Sequence, residues 1–335
     1  MSSLLNALAL ITRINYNVSK IMKKYLVTGG AGFLGRSIVE KLAKNGNHVV
    51  ILDNQSRGSI QNLAIKTPNI MFINGDIREK KVVEKACKNI NVVLHLAYIN
   101  GTENFYKSPD LVLEVAVKGM INLLDASIKQ KVQEFFLASS SEVYSNPELI
   151  PTPENVSLII PDPLNPRYSY SGGKIISELL AIHNSKHFKR TVIFRPHNVY
   201  GPAMGFEHVI PQFIMRLEKL KNKGGFDFPI QGDGRQTRSF IYIDDFTSAL
   251  MLLLNKGNNL EIYNIGTENE LSVKELALMI AKKMETKINL VVGPLPHGSP
   301  QRRRPDVTKL SELGFSPKVS LEEGLAKTIN WYLKQ

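Results

Sequence analysis

The 335-residue sequence predicts an α/β protein, a doubly wound parallel sheet followed by a smaller C-terminal substrate domain. Two observations carry this. Short apolar runs recur between residues 25 and 195, separated by stretches of helical periodicity, the pattern of parallel strands buried on both faces. A glycine-rich turn, Gly29-Gly30-Ala31-Gly32, closes the first run and opens the first helical stretch. Composition agrees: 43% hydrophobic and 21% charged residues exclude disordered and coiled-coil classes. No apolar run approaches the roughly 18 residues of a membrane span, so no membrane association is expected. The single cysteine, Cys87, excludes a disulfide framework or thiolate cluster and points to a reducing, cytoplasmic setting. No metal site is predicted.

Residues 1–22 read as a flexible extension. Its first 21 residues hold no acidic residue, a composition compatible with a presequence, but Met22 begins MKKYLVTGG, a typical start for a cytosolic enzyme. Strands are expected at 25–28, at 48–52 ending in Asp53, and at 70–73, 92–97, 135–138 and 192–195. Helices are expected at 33–45, 110–129 and 170–187. After Pro196 the chain becomes rich in Pro and Gly. Helices follow at 211–221 and 244–254, and a strand at 262–265. Ser272-Val273-Lys274-Glu275 is a capping box that opens a helix to Met284. The expected division is 23–197 with 239–267 as the cofactor domain, and 198–238 with 268–335 as the substrate domain.

Gly29, Gly32 and Gly35 permit a tight turn, close approach of main chain to a pyrophosphate, and packing of helix on strand. Phe33, Leu34 and Gly35 open the helix whose N-terminus faces the phosphate charge. Asp53, 18 residues beyond Gly35, can accept both adenosine ribose hydroxyls and would repel a 2′-phosphate, which favours NAD over NADP. Arg57 is the counter-signal. Asp76 and Ile77 follow the third strand, and Leu96 and Ala97 end the fourth; all four are expected against the cofactor. Tyr170 and Lys174 stand four apart at a helix start, so both face one way. A phenol of free pKa ~10 becomes a usable general base beside an ammonium and an oxidised nicotinamide. Ser139-Ser140-Ser141 ends the preceding strand, where a hydroxyl can relay a proton.

With these motifs assembled, the chain resembles, over about residues 23–333, the extended short-chain dehydrogenase/reductases of Rossmann type that modify nucleotide sugars. The resemblance rests on TGGAGFLG, Asp53, Gly75-Asp76, His95-Leu96-Ala97, SSSEVY, YSGGK, Asn198-Val-Tyr-Gly-Pro202, Gly232-Asp-Gly-Arg-Gln-Thr-Arg238 and Arg303-Arg-Pro-Asp306. It implies NAD as cofactor and Ser140, Tyr170 and Lys174 as the catalytic set. Asn198, Arg238 and Arg303 would hold a nucleotide diphosphate, with Asp306 near the ribose. It also implies a homodimer through the two long helices. Three positions depart from the family pattern: Ser145 replaces a glycine, Tyr98 an alanine, and Ala116 the asparagine usual near the nicotinamide ribose.

The resemblance implies oxidation of a UDP-, dTDP- or GDP-linked sugar at C4, leading to 4-epimerisation or 4,6-dehydration. Glu142 stands where the family's dehydratases carry the C5 base, although Ser141 replaces their aspartate. Ser140-Ser141-Glu142 also resembles the corresponding triplet of UDP-glucuronate decarboxylases, the alternative outcome. The net charge of +12 keeps open a non-catalytic nucleotide- or RNA-binding protein on the same fold. No RNA-recognition motif is present, and no nucleic-acid partner is expected.

Overall fold

The computed structural model describes residues 22–294, 298 and 300–335. The extension expected at the N-terminus lies, Met22 apart, outside the described residues. Seven strands, β1 (Lys24–Thr28), β2 (His48–Asp53), β3 (Ile70–Asn74), β4 (Val92–His95), β5 (Glu134–Ala138), β6 (Arg190–Pro196) and β7 (Glu261–Ile265), form one sheet in the order β7-β6-β5-β4-β1-β2-β3. Every neighbouring pair is parallel, with Leu26 of β1 opposite Val50 of β2 and Val93 of β4. The doubly wound sheet is thus observed, with its strand order reversing direction between β1 and β4.

The alternation of side chains along each strand divides the interior in two. Tyr25, Val27, Val49 and Ile51 point to one core, while Leu26, Val50 and Leu52 point to the other. Helices α1 (Phe33–Lys44), α2 (Lys80–Ala86), α3 (Thr102–Lys107), α4 (Pro109–Lys129), α5 (Tyr168–Asn184), α6 (Val209–Lys223) and α7 (Ile243–Lys256) follow in chain order. Ile38 and Leu42 of α1 and Phe246 and Leu250 of α7 cover the first face. Val83 of α2, Met120 and Leu123 of α4 and Ala181 of α5 cover the second. Truncating one of these buried side chains to alanine typically costs about 2–5 kcal/mol.

Beyond β6 a smaller layer rises over the carboxyl ends of the strands. It holds α6, α8 (Val273–Lys283), α9 (Thr308–Glu312) and α10 (Leu321–Tyr332). A parallel ribbon pairs Asp227–Gln231 with Asn289–Gly293, and a three-stranded piece joins Glu270–Ser272, Thr237–Ser239 and Arg302–Arg303. Ser272 and Glu275 form the reciprocal capping box at the start of α8. The core of this layer, with Phe213, Phe228 and Leu276, is continuous with the first sheet core. Asn264 of β7 pins the layer to the sheet edge: its Nδ2 donates to Thr152 O and Asp306 O, each at 3.0 Å.

Several elements differ from expectation. The fourth strand stops at His95, because Ala97 N–H turns to donate to the Thr28 hydroxyl at 3.3 Å. The helices at 80–86 and 321–332 and the ribbon strand at 227–231 have no counterpart in the sequence reading. Phe228 and Ile230 alternate inward there, but the strand is short, contains Pro229, and has its partner about sixty residues further on, so the alternation is too brief to announce it. Among the described residues no helix is long and apolar enough to cross a membrane.

Candidate active site

The carboxyl ends of the strands open into a cleft of about 930 Å³. Its lining includes Gly29, Gly32, Phe33, Leu34, Gly35, Asp53, Asp76, Ile77, Leu96, Ala97, Ser140, Glu142, Tyr170, Lys174, Asn198 and Arg303. One end is made largely of main chain. Gly29 turns with φ +73° and donates its N–H to Leu52 O at 2.9 Å; a Cβ there would lie 2.7 Å from Ala97 N. A Cβ on Gly35 would lie 2.1 Å from Gly29 O, so only glycine lets α1 seat on the turn. No side chain caps the α1 N-terminus, which leaves its first-turn amides turned to the cleft. Asp53 Oδ2 accepts from Ala31 N–H at 3.0 Å and Oδ1 from Gln55 N–H at 2.7 Å, fixing the carboxylate beside the glycine turn. Asp76 accepts from Arg78 and Asn54. Burial works against its ionisation, but the Arg78 hydrogen bonds outweigh it and hold the carboxyl below its ordinary range. The Arg57 guanidinium is engaged by Glu207 and does not stand free beside Asp53.

In the middle of the cleft, α5 presents Tyr170 and Lys174 one turn apart, 6% and 3% exposed. Phe105 stacks on the Tyr170 ring at 4.7 Å between centroids, and Tyr98 meets it edge-on at 5.2 Å. Burial pushes the Tyr170 phenol up to about 12. A hydrogen bond with Ser140 opposes this, Glu142 adds to it, and Arg57 and Arg303 work against it. Burial brings Lys174 down to about 7, partly offset by Glu178. Its Nζ donates to Ala138 O at 2.7 Å. The phenol is therefore neutral at pH 7 as it stands, and becomes a base only when further positive charge arrives beside it.

The other end is made of charged side chains. Glu142 Oε1 accepts from Arg303 Nη1 at 2.7 Å, and Oε2 lies 3.5 Å from Arg167 Nη2. Burial opposes ionisation of Glu142, but Arg303 and Arg167, then Arg238, overcome it and set its pKa at about 2. Arg303 is buried, and its Nε and Nη2 have no hydrogen-bond partner among the described residues. Asn198, with φ +38°, spends its amide on Ser239 O at 2.8 Å. Arg238 lies behind the lining and donates to Thr237 O, its pKa brought down to about 9 by burial and then by Arg303. Asp306 is not brought to the cleft: its carboxylate accepts from Thr308 N–H at 2.8 Å, at the start of α9.

The cleft also uses residues that no motif announced. Arg167 precedes α5 as an isolated arginine. Phe105 comes from a short helix that the sequence reading lacked. Phe206, Glu207, Trp331 and Gln335 reach the lining from the smaller layer. Only the closeness of Arg167 to Tyr170 in the chain could have flagged one of them.

A model of the NAD dependent epimerase/dehydratase family matches residues 25–266. A putative UDP-glucose 4-epimerase of Methanocaldococcus jannaschii is 36% identical over 312 residues, covering 91% of this chain and 97% of its own length. The chain belongs to the NAD-dependent epimerase/dehydratase family. A UDP-N-acetyl-alpha-D-glucosaminuronate decarboxylase of Bacillus cytotoxicus is 35% identical over 92% of this chain and 98% of its own length. The crystal structure of DesIV, a dTDP-glucose 4,6-dehydratase of Streptomyces venezuelae with NAD bound, superposes with a TM-score of 0.82 at 28% identity, over 93% of this chain and 97% of that one. This family member is an enzyme, and NAD is its cofactor. The cleft suits that molecule: the close-packed Gly29 turn and the uncapped α1 amides fit a pyrophosphate, and Asp53 stands beside them.

Proposed function

We propose that the enzyme is a nucleotide-sugar 4-epimerase. Gly29, Gly32, Phe33, Leu34 and Gly35 hold the pyrophosphate of the cofactor, Asp53 its adenosine ribose, and Leu96 and Ala97 flank it; Asp76 and Ile77 lie toward the adenine. Oxidised NAD held by these residues would supply a hydride acceptor and a positive charge beside the phenol. Tyr170 then takes the proton of the sugar's 4-hydroxyl, Ser140 hydrogen-bonds and orients that hydroxyl, and the Lys174 ammonium stabilises the phenolate. Arg303 offers its free Nε and Nη2 donors to the diphosphate. Arg238 supports it from behind, and Asn198 shapes the adjoining main chain.

One observation carries the choice of epimerisation. After C4 is oxidised, 4,6-dehydration needs a base for the C5 proton and an acid for the C6 hydroxyl. Position 141 is a buried serine and not an acid, and both Glu142 oxygens face arginines, Arg303 Nη1 at 2.7 Å and Arg167 Nη2 at 3.5 Å, which lowers the carboxylate's basicity. Epimerisation needs neither group, only rotation of the keto sugar. Decarboxylation of a nucleotide uronate is the second reading. It is favoured by the same pair of arginines, which already accommodate one carboxylate and could hold another.

The test is NMR of the products from UDP-glucose, UDP-N-acetylglucosamine, UDP-glucuronate and dTDP-glucose with NAD. A C4 epimer, still formed by Glu142→Gln within about tenfold of the parent rate, supports the proposal. A 4-keto-6-deoxy product overturns it, and carbon dioxide with a pentose product moves the assignment to the second reading. We further propose a cytoplasmic homodimer. Leu113 and Ile121 on α4 and Ile176 and Leu179 on α5 are exposed apolar residues on the two long helices, a face suited to a second copy.

A further inference from the structure

Lys174 has an unusual setting. Its ammonium is buried, and among the described residues its one hydrogen bond goes to a neutral carbonyl, Ala138 O, and it has no ion-pair partner. What lies against it is an aromatic face. Lys174 Nζ stands 3.6 Å from the centroid of the Tyr98 ring, well inside cation–π range, while the Tyr170 ring is 5.8 Å away. The Tyr98 ring also meets Tyr170 edge-on at 81° between planes. One side chain thus touches both members of the proton-transfer pair.

The surroundings are cut to admit this ring. A Cβ on Gly173 would lie 2.4 Å from Tyr98 Oη and 2.7 Å from Ala116 Cβ. The tip of Tyr98 therefore occupies a slot that exists only because residue 173 is glycine and residue 116 is small. Two of the sequence departures, Tyr98 and Ala116, are in space a single adjustment.

We infer that Tyr98 is a positioning residue for the proton transfer: its ring face holds the Lys174 ammonium charged and aimed at Ala138 O. This rests on the reading that Tyr170 and Lys174 form the proton-transfer pair. The groups facing Lys174 are few. Tyr170 and Glu178 share its helix, His95 approaches from β4 and is neutral because burial brings its pKa to about 3, and Tyr98 follows β4 in the chain. Around Tyr170 the charges are Glu142, Arg57 and Arg303. None of these replaces the ring as a direct contact of the ammonium.

The test uses the holoenzyme with NAD and lysine labelled with ¹³C at Cε, the Lys174 signal being assigned by its loss in Lys174→Met. In Tyr98→Leu the titration midpoint of Lys174 should fall by about one unit, the size of a desolvated cation–π contact. In Tyr98→Phe, which keeps the ring, it should stay where it is. The pH profile of kcat should narrow in Tyr98→Leu. Its acid limb rises, because the phenolate has lost support, and its alkaline limb falls, because the ammonium deprotonates earlier. If Tyr98→Leu no longer binds NAD, Gly173→Ala takes its place; its methyl group pushes on the ring tip and should lower the same midpoint. An unmoved midpoint in the variant that binds NAD, or an equal fall in Tyr98→Phe, overturns the inference. The titration needs no sugar, so it stands or falls separately from the epimerase assignment.

Discussion

The two ends of the cleft are built from different materials. At the cofactor end the working groups are main-chain amides gathered from residues 28–35, with two carboxylates, Asp53 held by Ala31 N–H and Asp76 held by Arg78. At the sugar end they are charged side chains, and the contact that defines it, Arg303 to Glu142, joins residues 161 apart. A site of amides depends on backbone shape, so it tolerates most changes except those that add a Cβ to its glycines. A site of charges depends on balance: removing Glu142 leaves buried arginines without their partner.

The largest break in this comparison lies between the two ends. Tyr170→Phe keeps the ring between Phe105 and Tyr98 but removes the proton acceptor. Turnover should fall about 10²–10⁴-fold, with NAD binding unchanged. Steady-state kinetics on the nucleotide sugar, with calorimetry for NAD, checks both, and near-normal turnover would sink the mechanism.

The next effect tests the cofactor end alone. Asp53→Ala removes the carboxylate that stands against the glycine turn. NAD should bind about 10- to 100-fold more weakly, the worth of hydrogen bonds to a charged group, and discrimination against NADP should relax. If calorimetry shows the parent enzyme preferring NADP, Arg57 is the selector despite its pairing with Glu207.

The smallest effect is one of stability and carries a definite sign. Lys174 titrates near 7 in the folded protein against 10.5 when free, so between those values the unfolded chain binds more protons. The parent enzyme's stability therefore gains from this group as pH rises from about 7 to about 10.5. Lys174→Met has no such gain. At pH 6 it should be more stable than the parent by roughly 1 kcal/mol or more, although inactive, and the gap should close toward pH 10. Denaturant melts at the two pH values decide it.

The sheet was legible because each buried strand is a short apolar run bounded by turns; all seven predicted runs overlap the seven strands of the sheet, within a residue or two at their ends. The capping box at Ser272 was legible for the same reason, since its partners are three residues apart. The ribbon at 227–231 was not, because its alternation of Phe228 and Ile230 is only five residues long, is interrupted by Pro229, and is stabilised by a partner strand closed by a long loop.

The chain order of residues alone determined the glycine turn, the carboxylate at the end of β2 and the common face of Tyr170 and Lys174, because each depends on covalent neighbours or on helix pitch. Tertiary structure decided the rest. It turned Asp306 to the start of α9 and away from the cleft, and closed Arg303 and Arg167 on Glu142. It also slid Tyr98 between Gly173 and Ala116 to face Lys174. The Asp306 turn is local, but its carbonyl is tied to Asn264 of β7, and the Glu142–Arg303 pair joins residues 161 apart, so this geometry exists only once the sheet and the smaller layer have packed together.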